Sequence, residues 1–339
     1  VIRQFENATP YGTMVVMQNT SASTGSVYLI GAAGQLGRAL IARIPDTREP
    51  ARVRPLTSAD IDITDATSVA VALAGLTADD VVINTAAYTD VDAAETDRAA
   101  AYRVNADGPA HLARATAAVG AWLIHISTDY VFSGSALGGT SERPDEEPEP
   151  RTTPYEPDES GAVVPATVYG ASKLAGERAA LAADGRTTVV RTAWVYTGGP
   201  DSRDFVGTMR RLEQTRETVS VVDDQLGSPT YALDLADGLW ELVSIGPVRG
   251  IAGATLHATN GGRATWCDVA RAVFIEVGAD ADRVHPCTTA EFPRPAPRPA
   301  FSVLSGASWA DAGLTPLPEW SAALHRAIAA PVAADGSLP

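Results

Sequence analysis

Lysine is almost missing from this 339-residue chain: of 26 basic residues, 25 are arginine and the only lysine is Lys173. Where arginine serves as the general cation, a single retained lysine marks a place where a compact charge is needed rather than a planar fork. Cysteine is scarce too. Cys267 and Cys287 cannot build a disulfide framework and read as ordinary thiols of a reducing compartment. No apolar run approaches the ~20 residues of a membrane helix, and the MVVM stretch at 14–17 is too short for a secretory signal. A cytoplasmic protein without a membrane partner is expected. Positive charge is in deficit, with 41 acidic residues and a formal net charge of −15. That argues against a nucleic-acid partner, whose backbone is held by lysine and arginine, but leaves room for a local pocket binding a small anion. No metal site is expected: His111, His125, His257, His285 and His325 are scattered, and none pairs with cysteine or carboxylates at ligand spacing.

The chain does have enough apolar residues, 45%, for one large α/β domain or two lobes. Residues 1–25 lack periodicity and read as a loose extension or a misassigned start, with Met14 or Met17 as alternatives. From Val27 the pattern alternates. Strands are expected at 27–31, 52–56, 80–87, 121–128 and 188–196, and helices at 34–44, 68–76, 95–119 and 167–183. This rhythm predicts a doubly wound parallel sheet of Rossmann type. It is interrupted at 134–165. Segment 141–160 there carries eight acids and five prolines and reads as an irregular, solvated surface loop. A dinucleotide-binding domain is expected over 26–196, followed by a smaller, mainly C-terminal substrate lobe over 197–330, with part of 220–245 returning to the first domain.

Four places carry chemistry. Gly31, Gly34 and Gly37 in GAAGQLG follow the first strand and open a helix, which suits close backbone approach to a pyrophosphate and amide donors at a helix N-terminus. The second strand is followed by Leu56, Thr57 and Ser58 and ends without the usual ribose carboxylate, so NAD and NADP stay open. Arg38 could meet a 2′-phosphate or simply be solvated. NTAAYTDVD (84–92) leaves the third strand at the end where open α/β sheets bind ligands, and Ala86 and Ala87 permit close approach. STDY (127–130) ends the next strand with hydroxyls able to polarise a carbonyl. Tyr169 and Lys173 stand four residues apart on a helix and so share a face. A neighbouring ammonium is expected to lower the phenol's pKa and make it a usable proton donor.

These motifs, with RTAWVY (191–196), DFVGTMRRL (204–212), VVDDQLGSPT (221–230) and RPAFSVL (298–304), resemble the extended short-chain dehydrogenase/reductase superfamily. Within it they resemble the dTDP-4-dehydrorhamnose reductases, from about Val27 to about Ala329. The resemblance implies that Tyr169 is the general acid, that Lys173 tunes it and binds the nicotinamide ribose, and that Thr128 polarises the substrate carbonyl. It implies a cofactor, NADPH or NADH, against Gly31, Gly34, Gln35, Leu36 and Gly37, with Asp62 and Ile63 near the adenine and Ala86, Ala87, Tyr88 and Asn105 close by. It implies a dTDP-sugar substrate facing Val91, Thr128, Asp129, Trp194 and Arg298, and a homodimer as an option. Mg2+ is a further candidate cofactor that the sequence does not reveal. A related epimerase or dehydratase, or a non-catalytic regulatory subunit, is the alternative. Asp204 departs from the family, which commonly has asparagine before the phenylalanine, and the 134–165 loop is wider than usual.

Overall fold

Short runs of valine, isoleucine and leucine without alternation make strands buried on both faces, and six of them form the centre of this protein. They are β1 (Val27–Ile30), β2 (Val53–Leu56), β3 (Val81–Asn84), β4 (Trp122–Thr128), β5 (Thr188–Thr192) and β6 (Thr255–His257). The computed structural model describes residues 25–49, 52–134, 151–160 and 164–330. All but one residue of the expected N-terminal extension, and the body of the acidic loop at 135–150 and 161–163, lie outside the described residues. The six strands form one parallel sheet in the order β2-β1-β3-β4-β5-β6. Pro55 is tolerated because β2 is an edge strand.

Alternate residues of β1 face opposite layers. Val27 and Leu29 join Leu36, Ala39 and Leu40 of helix α1 (Gln35–Ala42) in one buried cluster, while Tyr28 and Ile30 join Val69 of α2 (Ala66–Ala72) and Leu112 of α3 (Gly108–Val119) in another. On the second side, α3 also packs along α4 (Val168–Ala183). The chain beyond residue 196 returns to the first layer through α5 (Ala232–Ile245). There Trp240 Nε1 donates to the Leu40 carbonyl at 3.0 Å and Arg43 pairs with Asp237 at 2.6 Å. Residues 219–222 and 284–287 form a separate parallel pair, covered by the helix at 266–276.

The expected helix over 95–119 is divided. Asp97 caps a new start at Arg98 by accepting from Ala100 N, and residues 103–107 form a wider π turn before α3. Pro109 has no N–H to give the Asn105 carbonyl, so the ordinary ladder fails there. The expected strand over 188–196 also divides, into β5 and a two-residue strand at 195–196, because Trp194 between them has φ of +49°. The tail of the acidic segment is not a bare solvated loop. Tyr155 is buried, exchanges backbone bonds with Val303 and Ser305, and stacks on Phe132 at 4.3 Å. Arg151 lies over the Tyr155 ring at 3.8 Å and pairs with Glu159 at 2.8 Å. Among the described residues, no helix is long and apolar enough to cross a membrane.

Candidate active site

The strand order changes direction between β1 and β3. Their connections run to opposite sides, so a cleft opens at the carboxyl ends of the strands. Gly31 occupies the turn after β1 with φ of +82°, and a Cβ there would stand 2.7 Å from Ala86 N. Only glycine fits that close approach. Its amide donates to the Leu56 carbonyl at 3.0 Å, and α1 starts after Gly34 with no side-chain cap, leaving its first amides free for an anion.

The cleft measures about 990 Å³ and brings together most of the residues expected from the sequence. Gly31, Gly34, Gln35, Leu36, Asp62, Ile63, Ala86 and Ala87 line one part; Val91, Thr128, Asp129, Tyr169, Lys173 and Trp194 line another. Five residues named from the sequence lie outside its wall: Gly37, Tyr88, Asn105, Arg298 and Arg38. Gly37 packs under the turn, where a Cβ would stand 2.7 Å from Ala32 Cα. Asn105 is buried behind the cleft, its Oδ1 accepting from Tyr88 N at 2.8 Å and its Nδ2 donating to Tyr88 O and Ser172 Oγ at 3.0 Å. Both ends of that amide are used in joining the Tyr88 loop to α4. Arg298 pairs with Asp92 at 2.9 Å. Arg38 lines a neighbouring cavity of about 610 Å³ and not the cleft.

Thr167 caps α4 by accepting from Gly170 N at 2.9 Å, which presents Tyr169 in the first turn and Lys173 one turn later on the same side. The Tyr169 ring meets Tyr130 edge-on at 5.4 Å. The expected effect of lysine on the phenol does not hold in this geometry. Burial pushes Tyr169 up to about 12, opposed by the Thr128 hydroxyl and reinforced by Asp129, while Lys173 Nζ donates to the Ile126 carbonyl at 2.7 Å. Burial also lowers Lys173 to about 8, against the pull of Glu177. The reason is common to both groups: each is nearly closed off from water, and desolvation penalises the charged form of each. At neutral pH the phenol therefore keeps its proton and the ammonium its charge.

Asp129 is 2% exposed and burial raises it to about 6. Its Oδ1 accepts from Thr128 Oγ1 at 2.9 Å. The Ser302 hydroxyl opposes that rise, and Oδ2 has no hydrogen-bond partner. His125, beneath the site in β4, meets Asn84 Nδ2 through Nδ1 at 3.1 Å and is held neutral by burial and by Lys173.

A dinucleotide fits this cleft on two observations. The turn at Gly31 excludes any Cβ, and the Ser127 and Thr192 hydroxyls are buried, unpartnered and set in the cleft wall at the ends of β4 and β5. Polar atoms without partners at such a place are suited to a ligand's hydroxyls or amide. Sequence reasoning included Ser127 among the STDY hydroxyls but passed over Thr192, which the β4–β5 pairing sets opposite Thr128 in the cleft lining. The sequence places Trp266 only in the TW (265–266) motif of the resemblance and gives it no role; it stacks on Trp194 at 3.6 Å and lines both the cleft and the 610 Å³ cavity. A tryptophan just after a capping Thr265 was the available signal. Among the described residues no group of three or more His, Cys, Asp or Glu is placed to hold a metal ion, and nothing supports Mg2+ here.

The RmlD substrate binding domain family matches residues 25–332. A dTDP-4-dehydrorhamnose reductase of Mycobacterium tuberculosis is 54% identical over 89% of this chain and 92% of that protein. A probable dTDP-4,6-dihydroxy-2-methyloxan-3-one 4-ketoreductase of Streptomyces antibioticus is 43% identical over 91% of this chain and 96% of that protein. Among solved structures, the dTDP-4-dehydrorhamnose reductase of Bacillus anthracis in complex with NADP is 34% identical with a TM-score of 0.73, covering 89% of this chain and 98% of that one.

Proposed function

The chain belongs to the RmlD substrate binding domain family, and from that premise we propose that it is an NAD(P)H-dependent reductase converting the 4-keto group of dTDP-4-dehydro-L-rhamnose to the alcohol of dTDP-L-rhamnose. The observation that carries the reading is the meeting of Thr128, Tyr169 and Lys173 in the cleft that begins at the Gly31 turn.

The dinucleotide supplies the hydride when bound. The chain's own residues do the rest. Thr128, at the end of β4, turns its one hydroxyl proton from Asp129 Oδ1 to the keto oxygen and favours the charge that develops on it. Tyr169 gives its phenolic proton to that oxygen as it becomes an alcohol. A phenol held at about 12 is still a stronger acid than an alcohol, so the transfer runs downhill. Lys173, cationic at neutral pH, offers donors to ribose hydroxyls. The segments 26–196, 232–245 and 255–257 form the dinucleotide-binding part, and the remaining carboxy-terminal residues the sugar-nucleotide lobe.

The test is turnover of dTDP-4-dehydro-L-rhamnose with NADH or NADPH, followed by loss of reduced-nicotinamide absorbance and identification of the sugar. Consumption of reduced cofactor separates reduction from epimerase or dehydratase chemistry, which returns its cofactor unchanged. Tyr169→Phe is expected to cut kcat by about 10²–10⁴ while dinucleotide binding survives; an unimpaired variant removes the proton-donor role. Full activity on another 4-keto dTDP sugar with none on this one favours a second reading, supported by the Streptomyces antibioticus relative.

A further inference from the structure

We propose that Asp92 is a positioning residue for the sugar nucleotide: it latches the proline-rich strap over 292–300 to the cleft wall beside Val91, and so sets the affinity for that ligand without touching it. The inference rests on the reading of the cleft as the site of a dTDP-sugar reductase and adds what shapes its sugar end. In FPRPAPRPA (292–300) every second residue is proline. Proline fixes φ and offers no N–H, so such a run is extended, stiff and poor in donors. Its two ends are held by residues 224–226. Thr289 Oγ1, just before the strap, donates to Asp224 Oδ1 at 2.6 Å and accepts from Gln225 Nε2 at 2.9 Å, and the Ala300 carbonyl accepts from Leu226 N at 2.9 Å.

Between those ends the strap is held by one carboxylate. Asp92 Oδ1 accepts from Ala296 N at 3.1 Å, while Oδ2 pairs with Arg298 at 2.9 Å and with Arg294 at 3.4 Å. These three partners are the residues that alternate with Pro293, Pro295, Pro297 and Pro299. Among the described residues, 293–299 make no hydrogen bond or ion pair outside the strap except to Asp92. Asp92 belongs to a short helix (Val91–Ala94) whose first residue lines the cleft, and Glu95 after it accepts from Val168 N at 2.9 Å at the start of α4. The strap is thereby set in register with the helix that carries Tyr169 and Lys173. Burial opposes ionisation of Asp92, but the Ala296 amide and the Arg298 and Arg294 charges outweigh it and hold the carboxyl below its ordinary range. Among the described residues lining the cleft, Lys173 is the one cation. The latch adds two guanidiniums against one carboxylate beside it. Burial raises the Tyr130 phenol in the cleft wall, and the nearby Arg298 charge opposes that rise. A stiff strap tied at its middle holds those guanidiniums in one place, and a preorganised cation is what an anionic diphosphate binds best.

The test is calorimetric titration of the native protein and of Asp92→Ala with dTDP-L-rhamnose, dTDP and NADPH, beside hydrogen exchange of the 292–300 amides. The variant is expected to bind dTDP-L-rhamnose about tenfold more weakly and to raise the KM for the keto sugar by about the same factor. Its kcat and its NADPH binding should stay within about twofold, and its strap amides should exchange about tenfold faster. Asp92→Asn keeps an acceptor for Ala296 N and is expected to fall between the two. Unchanged sugar-nucleotide binding overturns this inference alone. So does tighter binding, which would mean that Asp92 competes with the ligand for the guanidiniums instead of placing them. Equal weakening of NADPH would show a damaged fold and no positioning role. Native protein that binds NADPH but neither dTDP nor dTDP-L-rhamnose removes the reductase reading, and this inference falls with it.

Discussion

Asp129 shows most clearly how one residue's chemistry depends on its surroundings. In the sequence it is one acid in STDY, beside the hydroxyl that matters. In the structure it is closed off from water, with Thr128 on one oxygen and nothing bonded to the other. Its folded pKa, about 6, is above the ordinary 3.8. The folded state therefore holds a proton that the unfolded chain has lost, and the stability gained from this group is full below pH 3.8 and lost as pH rises through about 6. Asp129→Asn removes the buried charge and keeps an oxygen for Thr128. It is expected to stabilise the protein by about 3 kcal/mol at pH 8 and by little at pH 3.5. Denaturant unfolding at the two pH values checks this; an equal gain at both would mean that ionisation of Asp129 is not the source. The pairing of Tyr169 with Lys173 was legible because four residues of helix bring two side chains to one face. The direction of the phenol's pKa was not, because burial comes from neighbours distant in sequence.

At the scale of elements, α4 is fastened to β5 by a buried ion pair. Glu177, one turn beyond Lys173, accepts from Arg191 Nε at 2.9 Å and Nη2 at 2.7 Å. Arg191 also donates to the Pro157 carbonyl and to Ser160 Oγ, which ties down the tail of the acidic segment. Side-chain exposure of 2% and 3% leaves water no access to either partner. Glu177→Gln strips the counter-charge from a buried guanidinium and is expected to cost about 3–5 kcal/mol. Urea unfolding measures the loss, and adding Arg191→Met should recover part of it; no recovery would show that the cost lies in packing. Most elements could be read from hydrophobic periodicity. The breaks could not be placed as well. Pro109 is visible in the sequence, yet the π turn also needs the packing of α4, and the kink at Trp194 follows from its stacking on Trp266, far along the chain.

For the whole molecule the central question is how the glycine turn meets the carboxy-terminal residues. Gln35 Nε2, at the start of α1, donates to Asp204 Oδ2 at 3.2 Å. The same oxygen accepts from Thr197 N at 2.7 Å and Thr197 Oγ1 at 2.8 Å, while Oδ1 caps the 205–215 helix through Gly207 N. Four donors use both oxygens of a carboxylate, which accounts for aspartate at a position where the resemblance suggested asparagine. Asp204→Ser keeps a helix cap and removes the link to Gln35. It is expected to destabilise the protein by about 1–2 kcal/mol and to weaken sugar-nucleotide binding more than dinucleotide binding. Parallel titrations decide the second point; equal weakening of both ligands would deny the link a role in relating the two parts.

The sequence by itself settled what is local: a glycine turn between a strand and a helix, a phenol and an amine one helical turn apart, hydroxyls at a strand end, and an alternation that permits little except a parallel α/β sheet. These depend on backbone periodicity and on the few residue types a tight turn accepts. The folded chain decided the rest. It sent Arg38 to the neighbouring cavity, turned Lys173 to the Ile126 carbonyl, buried Asp129, and left Ser127 and Thr192 facing a ligand space. Solvent access and charge environment are sums over neighbours, and those neighbours are chosen by packing between distant segments.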